Sequence, residues 1–483
     1  MLQPPAWHAS PGAVHPLDAI FHPRSIAVVG ASADPRNAGN RFLRVLQDFA
    51  FPGPLYAVHP GAASVLGLPT YPRVRDLPER VDHVISAVPW HATPDLVQDC
   101  IARGVRSLHL YTARLAETGL PERRALEAEM VGAARAAGLR LIGPNCMGIY
   151  CPAASVGFRF GLPREPGAVA YFSQSGGNSV NLVQKGAGRG LRFSKIVSYG
   201  NAADLNEADF LEYFLWDPQT TVIAAYIEGV KDGRRFLAAL QGAHKPVVVL
   251  KGGRTAAGSR AVHSHTASLA GDDALWDALE RQTALVRVDS MEELADVVLA
   301  FCLLPPLRGR RVALMGGGGG ESVSGADACE RHGLVVPALP PSLQEQFRER
   351  FPEVGMLLSN PLDGSVTGGG KVFLEAALDI ARWDDIDLLV GNAGIEWALD
   401  DPRDNPAPAS AIAGYLRVAQ EVGKPLAVVV GWLDTLESWK WDAVRACQQA
   451  CLEAGLPVFP STQRAASAIK KVVSYYERMD RTD

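Results

Sequence analysis

One local pattern occurs three times along the chain: an apolar stretch, then a turn of glycine and other small residues, then a stretch with helical spacing. The three copies are SIAVVGAS (25–32), GAVAYFSQSGGNS (167–179) and RRVALMGGGGGES (310–322). Further apolar stretches, such as DHVISAVP (82–89) and TVIAAYIEG (221–229), alternate with helical patterns. Strands that alternate with helices form parallel sheets covered by helices on both faces. The pattern therefore predicts an α/β chain.

The same alternation divides the chain into three α/β units after an N-terminal extension. We place the extension at residues 1–17 and the units at residues 18–150, 160–303 and 308–475. Loop-like stretches rich in proline and glycine separate the units. A length of 483 residues is ample for several domains of ordinary size.

Composition narrows the class of protein. A net charge of −5 does not favour a nucleic-acid partner. No apolar run reaches the length of a membrane span, and the N-terminus lacks the charged and apolar regions of a secretory signal. The seven cysteines are scattered and contain no CxxC pair, which favours a reducing compartment. We therefore expect a cytoplasmic protein that binds neither membrane nor nucleic acid.

The first two small-residue turns predict anion sites, because a turn between a strand and a helix exposes backbone N–H groups at the positive end of the helix. The first turn contains Gly30, Ala31 and Ser32 but not the full GxGxxG pattern, so a simple tight turn is the alternative. The second turn contains Ser173, Gln174, Ser175, Gly176 and Gly177, and its alternative is a serine N-cap followed by permissive glycines. Other candidates at strand ends, where open α/β sheets bind ligands, are His59, Pro60, Val88, Pro89, Asn145 and Cys146.

The third turn, MGGGGGES, lacks the lysine and hydroxyl residue of a Walker loop. A second anion site and tight packing of the turn on its helix both fit it. The nearby NPLDGS stretch (360–365) fits either a turn or a wall of a substrate pocket.

The stretch SRAVHSHTASLAG (259–271) places two histidines one residue apart among small residues, and we expect a loop there. A metal pair is disfavoured, because alternate residues of an extended chain point to opposite sides and no cysteine or carboxylate lies at ligand spacing. A solvated loop and a nucleophile remain. A neutral imidazole can attack phosphorus, and a carboxylate on its far ring nitrogen would orient it; Glu228 is the candidate. The residues alone do not choose between His263 and His265.

Taken in order, these stretches resemble the α subunit of the NDP-forming acyl-CoA synthetases, which include ADP-forming acetate–CoA ligase and succinyl-CoA synthetase. The resemblance covers residues 18–465. It is carried by SIAVVGAS, VDHVISAVP, GLRLIGPNCMGI, PGAVAYFSQSGG, TVIAAYIEG and KPVVVLKGGRTAAGSRAVHSHTASLAG, among others. It implies a Rossmann-like CoA-binding domain followed by two flavodoxin-like domains.

The resemblance also implies an acid–thiol ligase and assigns its residues. His265, not His263, would carry the phosphoryl group, with Glu228 stabilising it and the Ser173–Gly177 turn holding the phosphate. CoA would lie along Gly30–Ser32, the turn with His59 and Pro60, Val88-Pro89 and the Asn145-Cys146 edge. A separate ATP-grasp β subunit would hold ATP or ADP with Mg²⁺, so a hetero-oligomer is expected, and no metal ligand is expected in this chain.

Two departures from the family pattern concern ligand contacts. A VNPK-like turn is VHPG here, and a SAGF-like stretch is replaced by YTARLAETG (111–119), so that Arg114 or Glu117 could select the acyl group. Acetate, a branched or aromatic acid, and a dicarboxylate all remain candidates for the acid. The alternative functions are a CoA or acyl transferase that uses no nucleotide, and a non-catalytic subunit that senses CoA.

Overall fold

The computed structural model describes residues 15–32, 34, 36–266, 273–365, 370–394, 407–431 and 437–480, with the side chains of 263–266 and 407–410 outside the description. Most of the predicted N-terminal extension, residues 1–14, lies outside the described residues. The chain divides into two compact units, residues 1–187 with 191–294 and residues 188–190 with 295–483. The first unit contains two sheets and the second contains one. The predicted α/β class is confirmed.

The first sheet has the strand order of a Rossmann fold. Its strands are β1 Ile26–Val29, β2 Leu55–Val58, β3 Ser64–Val65, β4 Leu68–Tyr71, β5 His83–Ser86, β6 Ser107–Leu110 and β7 Arg140–Ile142. Its helices are α1 Asp18–Phe21, α2 Ala38–Asp48, α3 Thr93–Arg103 and α4 Pro121–Ala136. The order is β3-β4-β2-β1-β5-β6-β7, and all strands except the short β3 run parallel. The order reverses between β1 and β5, which is where such sheets bind ligands.

The second sheet is flavodoxin-like. Its strands are β8 Gly148–Tyr150, β9 Val169–Ser173, β10 Phe193–Ser198, β11 Val222–Ile227, β12 Val247–Lys251 and β13 Leu285–Val288. The helices that follow them are α5 Gly176–Ala187, α6 Glu207–Trp216, α7 Gly233–Gln241, α8 Ala256–Thr266, α9 Asp273–Gln282 and α10 Met291–Leu303. The order is β13-β12-β11-β9-β10-β8, with β8 antiparallel at the edge. The domain boundary at residue 150 stays a prediction, and β8 just before it pairs with this second sheet.

The second unit contains a parallel sheet of four strands in sequence order. They are β14 Val312–Gly316, β15 Leu388–Asn392, β16 Leu426–Val429 and β17 Val458–Phe459. Its helices are α11 Gly319–Arg331, α12 Pro341–Arg350, α13 Gly370–Arg382, α14 Ala407–Val422, α15 Ser438–Glu453 and α16 Thr462–Met479. Short 3₁₀ turns elsewhere in the chain are Val74–Asp76, Trp90–Ala92, Ala116–Thr118, Pro152–Ala154 and Gly355–Leu357.

Close packing accounts for the Gly-rich turn between β14 and α11. A Cβ on Gly364 would lie 2.8 Å from the Gly317 carbonyl oxygen, and one on Gly316 would collide with the Asn392 carbonyl. The carboxylate of Glu321, in the first turn of α11, accepts a hydrogen bond from the side-chain amide of Asn392 at 3.2 Å. A carboxylate at the positive end of the helix competes with any external anion, so the structure favours the packing interpretation of this turn.

The NPLDGS stretch acts as a structural turn beside the same sheet. Asn360 accepts a hydrogen bond from the Leu314 amide at 3.0 Å and donates one to the Val312 carbonyl at 2.9 Å. The Leu362 amide then donates to the Leu314 carbonyl at 2.8 Å. These bonds pair backbone N–H and C=O groups on the outer side of β14, which a further strand would otherwise have to pair.

In the first unit, residues 201–205 run alongside the end of β7 and join the two sheets. The amides of Asn201, Ala203 and Leu205 donate to the carbonyls of Pro144, Gly143 and Leu141 at 3.0, 3.0 and 3.3 Å. This backbone pairing covers an edge of the first sheet that would otherwise expose unpaired groups. It also fixes the carboxyl ends of both sheets beside each other.

Asp204 fastens this joint. Its buried carboxylate accepts hydrogen bonds from Arg135 at 2.6 Å, from Arg140 at 2.9 Å and from the Leu141 amide at 2.8 Å. Burial alone would raise the pKa of this carboxyl, but the hydrogen bonds from Arg140, Leu141 and Arg135 outweigh it and lower the pKa below its ordinary 3.8. The charged form is therefore the one that stabilises the joint.

We predict that Asp204→Asn lowers the free energy of unfolding of the first unit by about 3 kcal/mol at pH 7, the lower end for breaking a buried pair, because both arginines are partly exposed and regain water. Urea titration measures the loss. Asp48→Asn, which breaks an exposed pair with Arg164, should cost less than about 1 kcal/mol. Since the folded pKa of Asp204 is depressed, its stabilising effect should disappear as the pH falls below about 4. Equal losses in the two variants would contradict this prediction.

Candidate active site

The first small-residue turn, Gly30–Ser32, lies at the point of the first sheet where the strand order reverses, between β1 and β5, and its backbone packs tightly there. Gly30 has φ +91°, and a Cβ there would lie 2.8 Å from the Ala87 carbonyl oxygen at the end of β5. A Cβ on Gly39, at the start of α2, would lie 2.5 Å from the buried Ala31 amide nitrogen. The absence of side chains lets β1, β5 and α2 converge closely enough for a ligand to approach the backbone.

His59 and Cys146 are two of the predicted ligand contacts, but their side chains form hydrogen bonds with nearby backbone groups of the protein. The His59 Nδ1 atom accepts hydrogen bonds from the amides of Gly61 and Ala62 at 3.0 and 2.9 Å, so the imidazole closes its own turn. Pro60 is exposed beside it. The Cys146 thiol is buried 3.6 Å from the Leu110 carbonyl, and burial raises its pKa far above the ordinary value. A ligand at Cys146 would therefore meet backbone rather than thiolate.

Thr112 ties three strand ends together. Its hydroxyl donates to the Val88 carbonyl at 2.7 Å, and its carbonyl accepts from the Asn145 amide at 2.8 Å. The exposed Pro89 follows Val88, and Asn145 has φ +59°. The ends of β5, β6 and β7 thus form one continuous edge, the first-sheet rim, in the position where open α/β sheets bind ligands.

The second turn keeps its side chains for itself and leaves its backbone open. The Ser173 hydroxyl donates to the Ser175 carbonyl at 2.8 Å and accepts from the Ser175 amide at 3.1 Å. The Ser175 hydroxyl caps α5 by accepting from the Asn178 amide at 3.2 Å. Within the described part of the chain, the amides of Gly176 and Gly177 donate no hydrogen bond. The serine N-cap is therefore present, and the same turn leaves the two amides of Gly176 and Gly177 available to an anion; we call this pair the anion cradle.

Gln174 connects this turn to the end of β11. It is buried, its amide donates to the Gly229 carbonyl at 3.1 Å, and its oxygen accepts from the amides of Gly229, at 3.0 Å, and Glu228. The Gln174 side chain thereby fixes the backbone of Glu228 relative to the anion cradle.

Glu228 itself is buried at the carboxyl end of β11. Its Oε1 atom accepts a hydrogen bond from the Tyr226 hydroxyl at 3.2 Å, and its carbonyl accepts from Lys251 at 2.9 Å. Burial lowers the pKa of Lys251. A Cβ on Gly252 would lie 2.7 Å from the Tyr226 hydroxyl, so a larger residue there would displace the hydroxyl that binds this carboxylate.

The expected loop at 259–271 is wrong for its first part, because α8 extends from Ala256 to Thr266 and includes both histidines. Thr255 begins this helix by accepting a hydrogen bond from the Gly258 amide at 3.1 Å, and alanines follow, which have the highest helix propensity. The side chain of His265 and residues 267–272 lie outside the described residues. The helix follows β12, the neighbour of β11, so it starts at the edge where Glu228 lies.

Sequence reasoning missed Glu207, which supports the loop after Glu228. Its Oε1 atom accepts hydrogen bonds from the amides of Lys231 and Asp232, the latter at 3.4 Å. Its Oε2 atom is buried and has no hydrogen-bond partner among the described residues. Burial raises the pKa of Glu207, and the amide hydrogen bonds only partly offset this. The available signal was the NEAD sequence, which places Glu207 directly after the N-cap Asn206.

The anion cradle and the first-sheet rim are in direct contact. The Met147 amide donates to the Ser198 hydroxyl at 3.1 Å, and a Cβ on Gly176 would lie 2.7 Å from the Met147 Cγ. Asn201 bridges the same junction by donating to Glu117 at 2.9 Å. A molecule lying on the rim could therefore present one end to the cradle.

No group of three or more His, Cys, Asp or Glu side chains among the residues that the structure describes could hold a metal ion. In the same residues, no helix is both long and apolar enough to cross a bilayer.

Comparisons with known proteins identify the domain families of this chain. A CoA-binding domain model matches residues 24–152, and a model of the succinyl-CoA ligase-like flavodoxin domain matches residues 166–301. The α subunit of ADP-forming acetate–CoA ligase II from Pyrococcus furiosus is 34% identical over 85% of this chain and 89% of that subunit. ADP-forming acetate–CoA ligase I from Archaeoglobus fulgidus is 34% identical over 77% of this chain, which spans only 54% of that longer protein.

A solved structure extends the likeness to the whole fold. The dinucleotide-forming acetyl-coenzyme A synthetase 1 of Ca. Korarchaeum cryptofilum, in complex with phosphate and ADP, superposes with a TM-score of 0.80 and 30% identity. The match covers 96% of this chain and 98% of that chain.

We predict that Glu207→Gln becomes more stable relative to wild type as the pH rises from about 4.5 to 7. The folded protein holds the Glu207 proton more tightly than the unfolded chain, so wild type loses stability over this window, whereas glutamine keeps an acceptor oxygen without a charge. Urea midpoints measured across the pH range test this. The exposed Glu129→Gln is the matched control and should show no such trend. A Glu207→Gln difference that does not change with pH would refute the prediction.

Proposed function

The chain belongs to the family of the ADP-forming acetate–CoA ligase α subunits, and from this premise we propose that it is the CoA- and phosphate-handling subunit of an ADP-forming acyl-CoA synthetase. This acid–thiol ligase interconverts acyl-CoA, NDP and phosphate with an organic acid, CoA and NTP. The direct contact between the anion cradle and the first-sheet rim supports the proposal most strongly, since the reaction requires a thioester and a phosphate to meet.

In the first step, CoA lies along Gly30–Ser32, the His59-Pro60 turn, and the first-sheet rim at Val88-Pro89 and Asn145-Cys146. A phosphate oxygen attacks the thioester carbonyl carbon, the C–S bond breaks, and CoA leaves as a thiolate that takes up a proton. The product is an acyl phosphate. The open amides of Gly176 and Gly177 hold the phosphate charge, while Ser173, Gln174 and Ser175 keep the turn in shape.

In the second step, a ring nitrogen of His265 attacks the phosphorus of the acyl phosphate. The bond between phosphorus and the acyl oxygen breaks, and the carboxylate leaves. Glu228 accepts a hydrogen bond from the N–H of the far ring nitrogen, which fixes the tautomer and stabilises the cationic ring that forms. Gln174 and Glu207 hold the Glu228 loop from its two ends.

In the third step, the phosphoryl group passes from His265 to NDP on a separate ATP-grasp β subunit, which also holds Mg²⁺. The α-subunit relative and the longer single-chain relative support this division, because the chain matches almost all of the first and about half of the second. The enzyme would then be a hetero-oligomer.

All seven cysteines are free thiols, which supports the expected cytoplasmic location.

We predict that ³²P-labelled acyl phosphate labels the chain in an acid-labile, alkali-stable form, as expected for a phosphohistidine. His265→Ala should abolish the label, and Glu228→Gln should slow its appearance at least about tenfold, as loss of a histidine's orienting partner does at metal sites. Autoradiography after a short reaction measures the label.

His263→Ala is the matched control, since it removes the neighbouring imidazole from the same helix and should leave labelling unchanged. Label that survives His265→Ala would remove this histidine from the mechanism. An unlabelled wild-type chain that still exchanges CoA between acyl groups would instead indicate the transferase alternative.

A further inference from the structure

We propose that Arg114 selects an acyl group that carries a second carboxylate, so that the preferred acid is a dicarboxylate. This inference rests on the proposed function and names its substrate class. It is carried by the backbone conformation, the location and the unpaired charge of this one residue.

The backbone of Arg114 is in the left-handed region, with φ +72°. Side chains with a Cβ rarely adopt this conformation, and glycine is the usual residue there. The Glu117 carboxylate holds the chain in it by accepting hydrogen bonds from the amides of Arg114 and, at 3.1 Å, Leu115. A strained residue held in place by its surroundings indicates a use for its side chain.

The loop that contains Arg114 borders the place where the acyl group must lie. The loop follows β6 at the ligand edge of the first sheet, and Thr112 within it binds both Val88 and Asn145. Its far end is tied to the second sheet, because Glu117 accepts from Asn201 at 2.9 Å. The thioester carbonyl has to reach the Gly176–Gly177 amides, so the rest of the acyl group lies at this junction.

The charge of Arg114 is available for a ligand. The side chain is exposed, and its guanidinium forms no ion pair or hydrogen bond with the described residues. The Glu117 carboxylate, three residues further along the chain, is already used by two backbone amides and by Asn201. Arg123 adds a second positive charge, since it donates to the Arg114 carbonyl at 3.2 Å and lies over the Trp90 ring. A planar guanidinium binds a carboxylate through two parallel hydrogen bonds.

The test uses the chain alone with arsenate in place of phosphate. Acyl arsenates hydrolyse spontaneously, so the first step becomes a continuous release of CoA thiol. The substrates are two pairs of thioesters with equal carbon number: succinyl-CoA with butanoyl-CoA, and glutaryl-CoA with pentanoyl-CoA. We expect wild type to have the higher kcat/KM for the dicarboxylic member of at least one pair.

Arg114→Gly should lower kcat/KM for that dicarboxylic thioester by roughly 10- to 100-fold, the loss of a charge-assisted hydrogen bond, and leave its monocarboxylic partner within about twofold. Arg114→Lys keeps the charge without the planar fork, so it should give an intermediate loss. Leu66→Gly places glycine at another left-handed position, and Arg159→Gly removes another exposed arginine; neither should change the preference.

Three outcomes would overturn the assignment. They are a wild-type preference for both monocarboxylic thioesters, an Arg114→Gly preference equal to that of wild type, and an equal loss for all four thioesters, which would make Arg114 a contact of CoA itself. In each of these cases wild type still releases thiol. Absence of arsenate-dependent thiol release from every thioester would instead refute the proposed function.

Discussion

The pairing of residues 201–205 with the end of β7 is the constraint on which the site depends. Each sheet of the first unit has its own proposed ligand edge, and under the proposed mechanism neither edge alone could bring a thioester and a phosphate together. Backbone hydrogen bonds at 3.0–3.3 Å and the buried Asp204 fix the two edges side by side. Since a misplacement of about 1 Å can cost a large factor in rate, a rigid joint is worth more here than a flexible linker.

The rim and the cradle share one physical strategy: polar side chains shape the turns, and the backbone is left for the ligand. The side chains of Ser173, Gln174 and His59 each form hydrogen bonds with neighbouring backbone groups. The amides of Gly176 and Gly177 donate to no acceptor among the residues that the structure describes, and they already point in fixed directions. Donors held in this way need no reorganisation when charge develops on a bound phosphate, which is the usual source of electrostatic stabilisation in enzymes.

The parts of the fold that the sequence predicts correctly are those encoded by short stretches of consecutive residues. The three strand–turn–helix copies predicted three parallel sheets, because burial and period are properties of consecutive residues. The joint at 201–205 and the support from Glu207 were missed, since both connect residues distant in the chain. The helix at 256–266 differs from the predicted loop, because its small residues and two histidines are typical of loops and hide the alanine-rich start capped by Thr255. The sequence shows that Arg114 lies in a stretch that departs from the family pattern, but its φ angle is needed to show that the position is strained.

A crystal structure of the chain with CoA and phosphate tests the central claim most directly. The account predicts phosphate on the amides of Gly176 and Gly177, with the CoA sulfur within roughly 5 Å of it, because the attacking oxygen must lie about 3–3.5 Å from the carbon bonded to that sulfur. Phosphate bound away from this turn, or a CoA thiol directed away from the junction of the two sheets, would contradict it.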